Sequence, residues 1–167
     1  MAKDQEEYGS EITSRYGNHI RVRVNGLLLV DDQLLCVGHQ MSSSPNRLFW
    51  APPGGGLAFG ERMEEAVQRE FLEETGLSVS VGEMISVTEF INDPLHAVEL
   101  FFKITSHHGI LQKGKDPEHD RKDQIICQVK FIPVSELNRM PPEQAHVVLR
   151  KFRSFEESGS WKGFLHR

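Results

Sequence analysis

The sequence predicts an α/β fold with a mixed β-sheet packed between helices. Apolar runs of strand character recur along the chain, and residues 62–75 are strong helix formers with no internal Gly or Pro. A second amphipathic stretch follows at Pro142–Phe155. Strands flanked by at least two helices need helical cover on the sheet, which gives the layered architecture. At 167 residues the chain is long enough to bury one core without disulfides or a structural metal. The expected organisation is a polar leader over residues 1–17, a single domain over 18–157 and a C-terminal tail over 158–167.

Taken in order, His19–Val30 and Gln33–Val37 read as two strands joined at Asp31-Asp32, a hairpin signal. Residues 41–46 (MSSSPN) read as a loop and Leu48–Ala51 as a short strand running into Pro52-Pro53-Gly54-Gly55-Gly56, where pairing is expected to stop. The helix over 62–75 ends at Gly76, placed for a left-handed cap. Val79–Val81, Met84–Ile91 and Ala97–Thr105 read as strands, the latter two joined by a turn at Asn92-Asp93-Pro94. Residues 106–123 are polar and charged and read as a long exposed loop that includes His107 and His108. Ile125–Pro133 reads as a strand, Ser135–Asn138 as a helical turn, and the tail after Glu157 shows no period.

Composition narrows the function classes. The net charge of -5 gives no broad basic footprint for long nucleic acid, so a small anionic ligand received by local positive charge or a metal fits better. Cys36 and Cys127 have no metal-ligand spacing and read as buried thiols in strands. The acidic amino terminus lacks the apolar core of a signal peptide and no run is long enough to span a bilayer, so a cytoplasmic location is expected.

The helix over 62–75 breaks its own pattern. At about 100° per residue, Met63, Ala66, Val67 and Phe71 form a core-facing stripe roughly 140° wide. Glu70 and Glu74 project within that arc and Glu73 lies at its edge, although Glu64, Glu65 and Gln68 already supply a solvated face. Burying two carboxylates one turn apart costs several kcal/mol unless something positive meets them. Their place near the helix C-terminus also opposes the macrodipole. The i,i+3 and i,i+4 spacings let their oxygens converge on a hard divalent cation, and Arg69 is an i,i+4 neighbour of Glu73. The plainer alternative is a solvated acidic face, the usual fate of charge runs on helices. The shared arc and the glycine-rich approach weigh against it. A Walker-type phosphate loop is excluded because Gly55-x4-Gly60 is followed by Glu61 and Arg62.

Gly55, Glu61, Arg69, Glu70, Phe71, Glu73, Glu74, Gly76 and Leu77 resemble the Nudix box, Gly-x5-Glu-x7-Arg-Glu-U-x-Glu-Glu-x-Gly-U with U apolar, and every fixed position is filled. Phe71 is aromatic where an aliphatic residue is commoner. The box spans 23 of 167 residues, and the approach at Trp50–Gly55 is also similar to this family. The resemblance implies an α/β/α sandwich in which the box forms a loop, a helix and a loop. It further implies that Glu70, Glu73 and Glu74 bind Mg²⁺ or Mn²⁺ with the Gly55 carbonyl, that Arg69 orients the glutamates, and that Glu61 is a structural or outer-sphere member. Relatives use either a carboxylate matching Glu70 or a loop acid as base. Glu118, ahead of Asp120 and Asp123, is the loop acid expected to serve as base or extra ligand; a solvated charge is the alternative reading.

Arg21 and Arg23 share one face of the first strand and could meet phosphates, a solvent-facing side being the alternative; Arg47, Phe49 and Trp50 precede the glycines and could contact a base or sugar, with Phe49 or Trp50 read as partly core. The resemblance leaves several substrates open. Pro94 stands seventeen residues after Leu77, and some ADP-ribose enzymes of the family carry a proline beyond the box, so ADP-ribose or nucleotide sugars are favoured. Nucleoside triphosphates in the MutT manner, or a non-catalytic nucleotide- or protein-binding module, are the rivals. A small nucleotide partner is expected, with no long nucleic acid and no membrane, and a homodimer is left open.

Overall fold

A computed structural model describes residues 17–40, 47–114, 126–157 and 162–165. Nine strands lie in that range: β1 (Ile20–Leu27), β2 (Leu29–Val30), β3 (Gln33–Gln40), β4 (Leu48–Ala51), β5 (Gly54–Gly56), β6 (Ser78–Asn92), β7 (Leu95–His108), β8 (Ile126–Pro133) and β9 (Gly163–Leu165). With them are three helices, α1 (Met63–Thr75), α2 (Val134–Leu137) and α3 (Val147–Lys151).

The strand predicted over His19–Val30 divides at Leu28. Its first part, β1, runs parallel to β7 and antiparallel to β5, whereas β2 pairs with β3 in the second sheet. Asp31 and Asp32 both have positive φ, 47° and 62°, the conformation a two-residue turn between twisted strands requires. One sheet has the order β5-β1-β7-β6-β9; in the other, β3 pairs with β2, β4 and β8. Parallel and antiparallel pairs coexist, giving the mixed sheet that the sequence predicts.

Helix α1 covers one face. Ala66, Val67 and Phe71 pack with Val24, Leu28, Leu35, Leu77, Val79 and Ile104. Gly76 ends the helix at φ 72°, its N–H bonded to the Leu72 carbonyl. Burying Phe71 fully stabilises by about 1.5–3 kcal/mol, which helps offset the carboxylates on the same face. Met63 departs from the predicted stripe, being 43% exposed: burial begins at Ala66, so the first turn overhangs the sheet. On the opposite side Leu137, Val148, Leu149 and Phe152 pack with Leu27, Trp50, Phe101 and Leu165, completing an α/β/α arrangement.

Several elements differ from expectation. Pairing does not stop at the glycines, because Gly54–Gly56 joins β1. The break read around Gly82 is a set of bulges within one long β6, which with β7 forms a hairpin closed at Asp93-Pro94. His107 and His108 lie at the exposed end of β7, paired with Val79 and Ser78, so the loop starts later. The helix predicted over 142–155 shrinks to Val147–Lys151. The Trp50 N–H donates to the Gln144 carbonyl and the His146 N–H to the Trp50 carbonyl, so this backbone is committed to β4 before helix can begin. The tail contributes β9, parallel to β6, with Leu165 in the core. Cys36 is buried, and burial raises its thiol pKa; Cys127 is half-buried. Among the described residues no helix is long and apolar enough to cross a membrane.

Candidate active site

Glu70 and Glu74 lie on the buried face of α1, 8% and 6% exposed. What they meet there is the glycine strand β5. The Gly54 N–H donates to Glu74 Oε2 at 2.9 Å. A Cβ on Gly55 would stand 2.3 Å from Glu70 Oε1 and 2.4 Å from its carboxyl carbon, so only glycine lets this carboxylate lie against the backbone. Gly54 has φ 154°, and a Cβ there would fall 2.2 Å from the Val24 carbonyl oxygen. These contacts are why the sequence needs consecutive glycines at this point.

Arg69 is the hub of the cluster. Its Nε and Nη2 donate to the two oxygens of Glu61 at 2.8 and 3.0 Å, a bidentate pair. Nη1 donates to Glu70 Oε1 at 2.8 Å and to Glu73 Oε2 at 3.2 Å, and Nη2 also reaches the Gly56 carbonyl at 3.1 Å. The i,i+4 contact with Glu73 read from the sequence is therefore one of several, and Glu61 is the partner held by two bonds. Glu61 in turn accepts from the Ala58 N–H at 3.1 Å, fixing the loop that enters the helix. Hydrogen bonding to Arg69 holds the Glu61 carboxyl below the usual range. Burial pushes the Glu70 carboxyl above its usual range, and the Arg69 guanidinium holds that rise in check.

The other face of β5 is cationic. The Arg23 Nη2 donates to the Gly54 carbonyl at 3.3 Å, and a Cβ on Gly56 would come within 2.8 Å of Arg21 Nη2. The Arg23 Nε lies 3.6 Å from Glu99 Oε1 and has no hydrogen-bond partner among the described residues. Glu99, 8% exposed, also accepts from Thr88 Oγ1 at 2.9 Å and contacts His146 Nε2 at 3.0 Å. The Val148 N–H donates to His146 Nδ1 at 3.2 Å, so Nε2 carries the proton of the neutral ring and donates to Glu99. Burial, with the nearby Arg23 charge, pushes half-buried His39 down to about 4.

Glu61, Arg69, Glu70, Glu73, Glu74 and Gly55 are thus brought together, with Arg21 and Arg23 across the glycine strand. Arg47 is exposed, and among the described residues no contact places it in this cluster. Glu118, Asp120 and Asp123 lie outside the described residues. The Glu99–His146–Thr88 network was not anticipated. A charge within the otherwise apolar run Ala97–Phe102 was its visible signal, but its partners come from β6 and the start of α3 and have no local mark in the sequence.

The donor set suits a hard cation. Among the described residues no three His, Cys, Asp or Glu side chains form a ready metal cluster, because Arg69 occupies Glu70 and Glu73 while Glu74 is turned to Gly54. An ion of the Mg²⁺ type keeps several waters and needs only one or two carboxylates with substrate oxygens, so the carboxylates of this cluster suffice.

Comparison with known proteins bears on the whole domain. The NUDIX domain model matches residues 19–152. An ADP-ribose pyrophosphatase of Methanocaldococcus jannaschii is 34% identical over 100 residues, 59% of this chain and 58% of that protein. An RNA pyrophosphohydrolase of Mesorhizobium japonicum is 32% identical over 96 residues, 53% and 54% of the two chains. The chain therefore spans little more than half the length of these relatives. A MutT NUDIX hydrolase from Burkholderia pseudomallei superposes with a TM-score of 0.59 at 20% identity, covering 70% of this chain and 85% of that one, a likeness of fold. A MutT protein from Bacillus halodurans gives 0.53 at 26% identity, covering 72% and 73%.

Proposed function

The chain belongs to the NUDIX domain family, and on that premise we propose that it is a divalent-metal-dependent pyrophosphohydrolase acting on a nucleoside diphosphate linked to another moiety. The observation that carries this reading is the pair Glu70 and Glu74, buried one helical turn apart on the face that holds α1 to the sheet. A helix selected for stability alone would place apolar residues there.

In this reading Glu70, Glu73, Glu74 and the Gly55 carbonyl hold Mg²⁺ or Mn²⁺. Bound there, the cation offsets diphosphate charge and lowers the pKa of an attacking water. Arg69 aims Glu70 and Glu73 and is itself fixed by Glu61. Glu70, its carboxyl raised by burial, would serve as base, and Glu118, with Asp120 and Asp123 behind it, is the alternative base or extra ligand. Arg21 and Arg23 on the far face of β5 would receive phosphate oxygens, and Arg47 would contact the nucleotide from its exposed position.

The substrate we favour is ADP-ribose or a nucleotide sugar, supported by the likeness to the M. jannaschii enzyme. The likeness to RNA pyrophosphohydrolases supports RNA as a second substrate reading. Residues 18–157 together with β9 would form the catalytic domain, in the cytoplasm. Turnover of ADP-ribose, nucleotide sugars, nucleoside triphosphates and triphosphate-ended RNA, measured with Mg²⁺ present and after chelation, tests the proposal. Metal-dependent cleavage of ADP-ribose or a sugar nucleotide ahead of the others is expected. No turnover of any, with nucleotide still bound, would replace the enzyme by a binding module.

A further inference from the structure

Helix α1 ends where its carboxylates must be most exactly held, and the last carbonyls of any helix lack partners within it. Here two of them are taken by a segment remote in sequence. The Gly114 N–H donates to the Glu74 carbonyl at 2.8 Å and the Gln112 N–H to the Thr75 carbonyl at 3.0 Å. The segment is fitted closely: a Cβ on Gly114 would fall 1.7 Å from the Glu73 carbonyl oxygen and 2.7 Å from the Glu74 carbonyl carbon. Gly109, at φ 111°, turns the chain out of β7 in a conformation that side chains rarely adopt, and a Cβ would stand a tight 3.0 Å from the Gly76 carbonyl oxygen. Between them Leu111 anchors the segment, packing against the core beneath α1.

We infer that Gly109–Gly114 is a strap that positions Glu73 and Glu74 for metal binding, with Gly114 as the positioning residue whose side chain must be absent. The two backbone donors sit on the carbonyls of Glu74 and of its neighbour Thr75. They fix the last turn of the helix and with it the directions in which the Glu73 and Glu74 side chains leave the backbone. They also place partial positive charge at the negative end of the macrodipole, where two carboxylates are otherwise repelled. Outer partners of this kind orient metal ligands without touching the ion. The inference rests on the metal reading proposed above.

Mn²⁺ binding to the full chain, followed by electron paramagnetic resonance well below the melting midpoint, tests it in wild type, Gly114→Ala and Leu111→Ala. Gly114→Ala should weaken Mn²⁺ binding by about 10–100-fold, the range for lost outer-shell partners. Leu111→Ala, which loosens the strap without a clash, should weaken it in the same direction by less. Nucleotide affinity in chelator should not change, and amide exchange at Gln112 and Gly114 should quicken. Wild-type Mn²⁺ affinity in a variant whose strap amides exchange faster would overturn the positioning role and leave the metal reading standing. A wild-type chain that binds no Mn²⁺ would overturn both. If Gly114→Ala does not fold, Leu111→Ala decides alone.

Discussion

Arg69→Ala removes five hydrogen bonds of 2.8 to 3.2 Å, two to Glu61 and one each to Glu70, Glu73 and the Gly56 carbonyl. Breaking a buried ion pair costs about 3–5 kcal/mol, while an exposed pair contributes about 0–1 kcal/mol. The Arg69 side chain is 35% exposed and that of Glu70 10%, which places this cluster between the limits. A loss of about 2–3 kcal/mol of folding stability follows where Glu70 is ionised. The pH dependence has a definite sign. A carboxyl raised in the folded state binds more protons there than in the unfolded chain, so its contribution is present at low pH and falls as pH rises through the folded value. Without Arg69 that value climbs further, so the variant loses more at high pH. Glu61 acts in the same direction. Its lowered value stabilises the wild type above the ordinary carboxyl range, and the variant forfeits that. Urea denaturation in chelator at about pH 5 and about pH 8 measures both effects. An equal loss at the two pH values, or a loss below about 0.5 kcal/mol at the higher one, would refute the view that this guanidinium keeps Glu70 charged.

Three further perturbations separate the site from the scaffold. Gly55→Ala places a Cβ 2.3 Å from Glu70 Oε1; the flexible carboxylate can shift, so thermal melting should register about 1–3 kcal/mol while turnover drops at least about tenfold, and retained turnover would show that Glu70 tolerates displacement. Glu74→Gln keeps an oxygen for the Gly54 N–H but loses the charge, so circular dichroism should match the wild type while metal-dependent turnover falls by about 10–100-fold or more; near-normal rates would remove Glu74 from the metal site. Phe152→Ala empties a fully buried position beneath the far face and should cost about 3–5 kcal/mol in chemical denaturation with little change in KM, whereas a cost under about 1 kcal/mol would show that this core relaxes.

Much of the fold was legible because its signals are local. Helix α1 with its Gly76 cap, the turn at Asp31-Asp32 and strand β4 each follow from composition within a few residues. The extent of the third layer was not legible. The apolar pattern of Pro142–Phe155 fits a helix, but pairing with Trp50 takes the backbone up to His146 first. Strand β9 has no period of its own and forms because β6 offers an edge.

The sequence by itself determined the family resemblance and the anomaly of Glu70 and Glu74, since helical geometry fixes which residues share a face before anything packs on it. Only the tertiary structure decided what stands against that face. Gly55 beside Glu70, Glu61 gripping Arg69, and Gly114 on the end of α1 join positions from different elements, and such contacts follow from how sheets and loops close. Three-dimensional closure likewise placed the Glu99–His146 pair next to Arg23, 47 residues apart in the chain, because a buried carboxylate needs donors and the nearest ones came from β6 and from the start of α3.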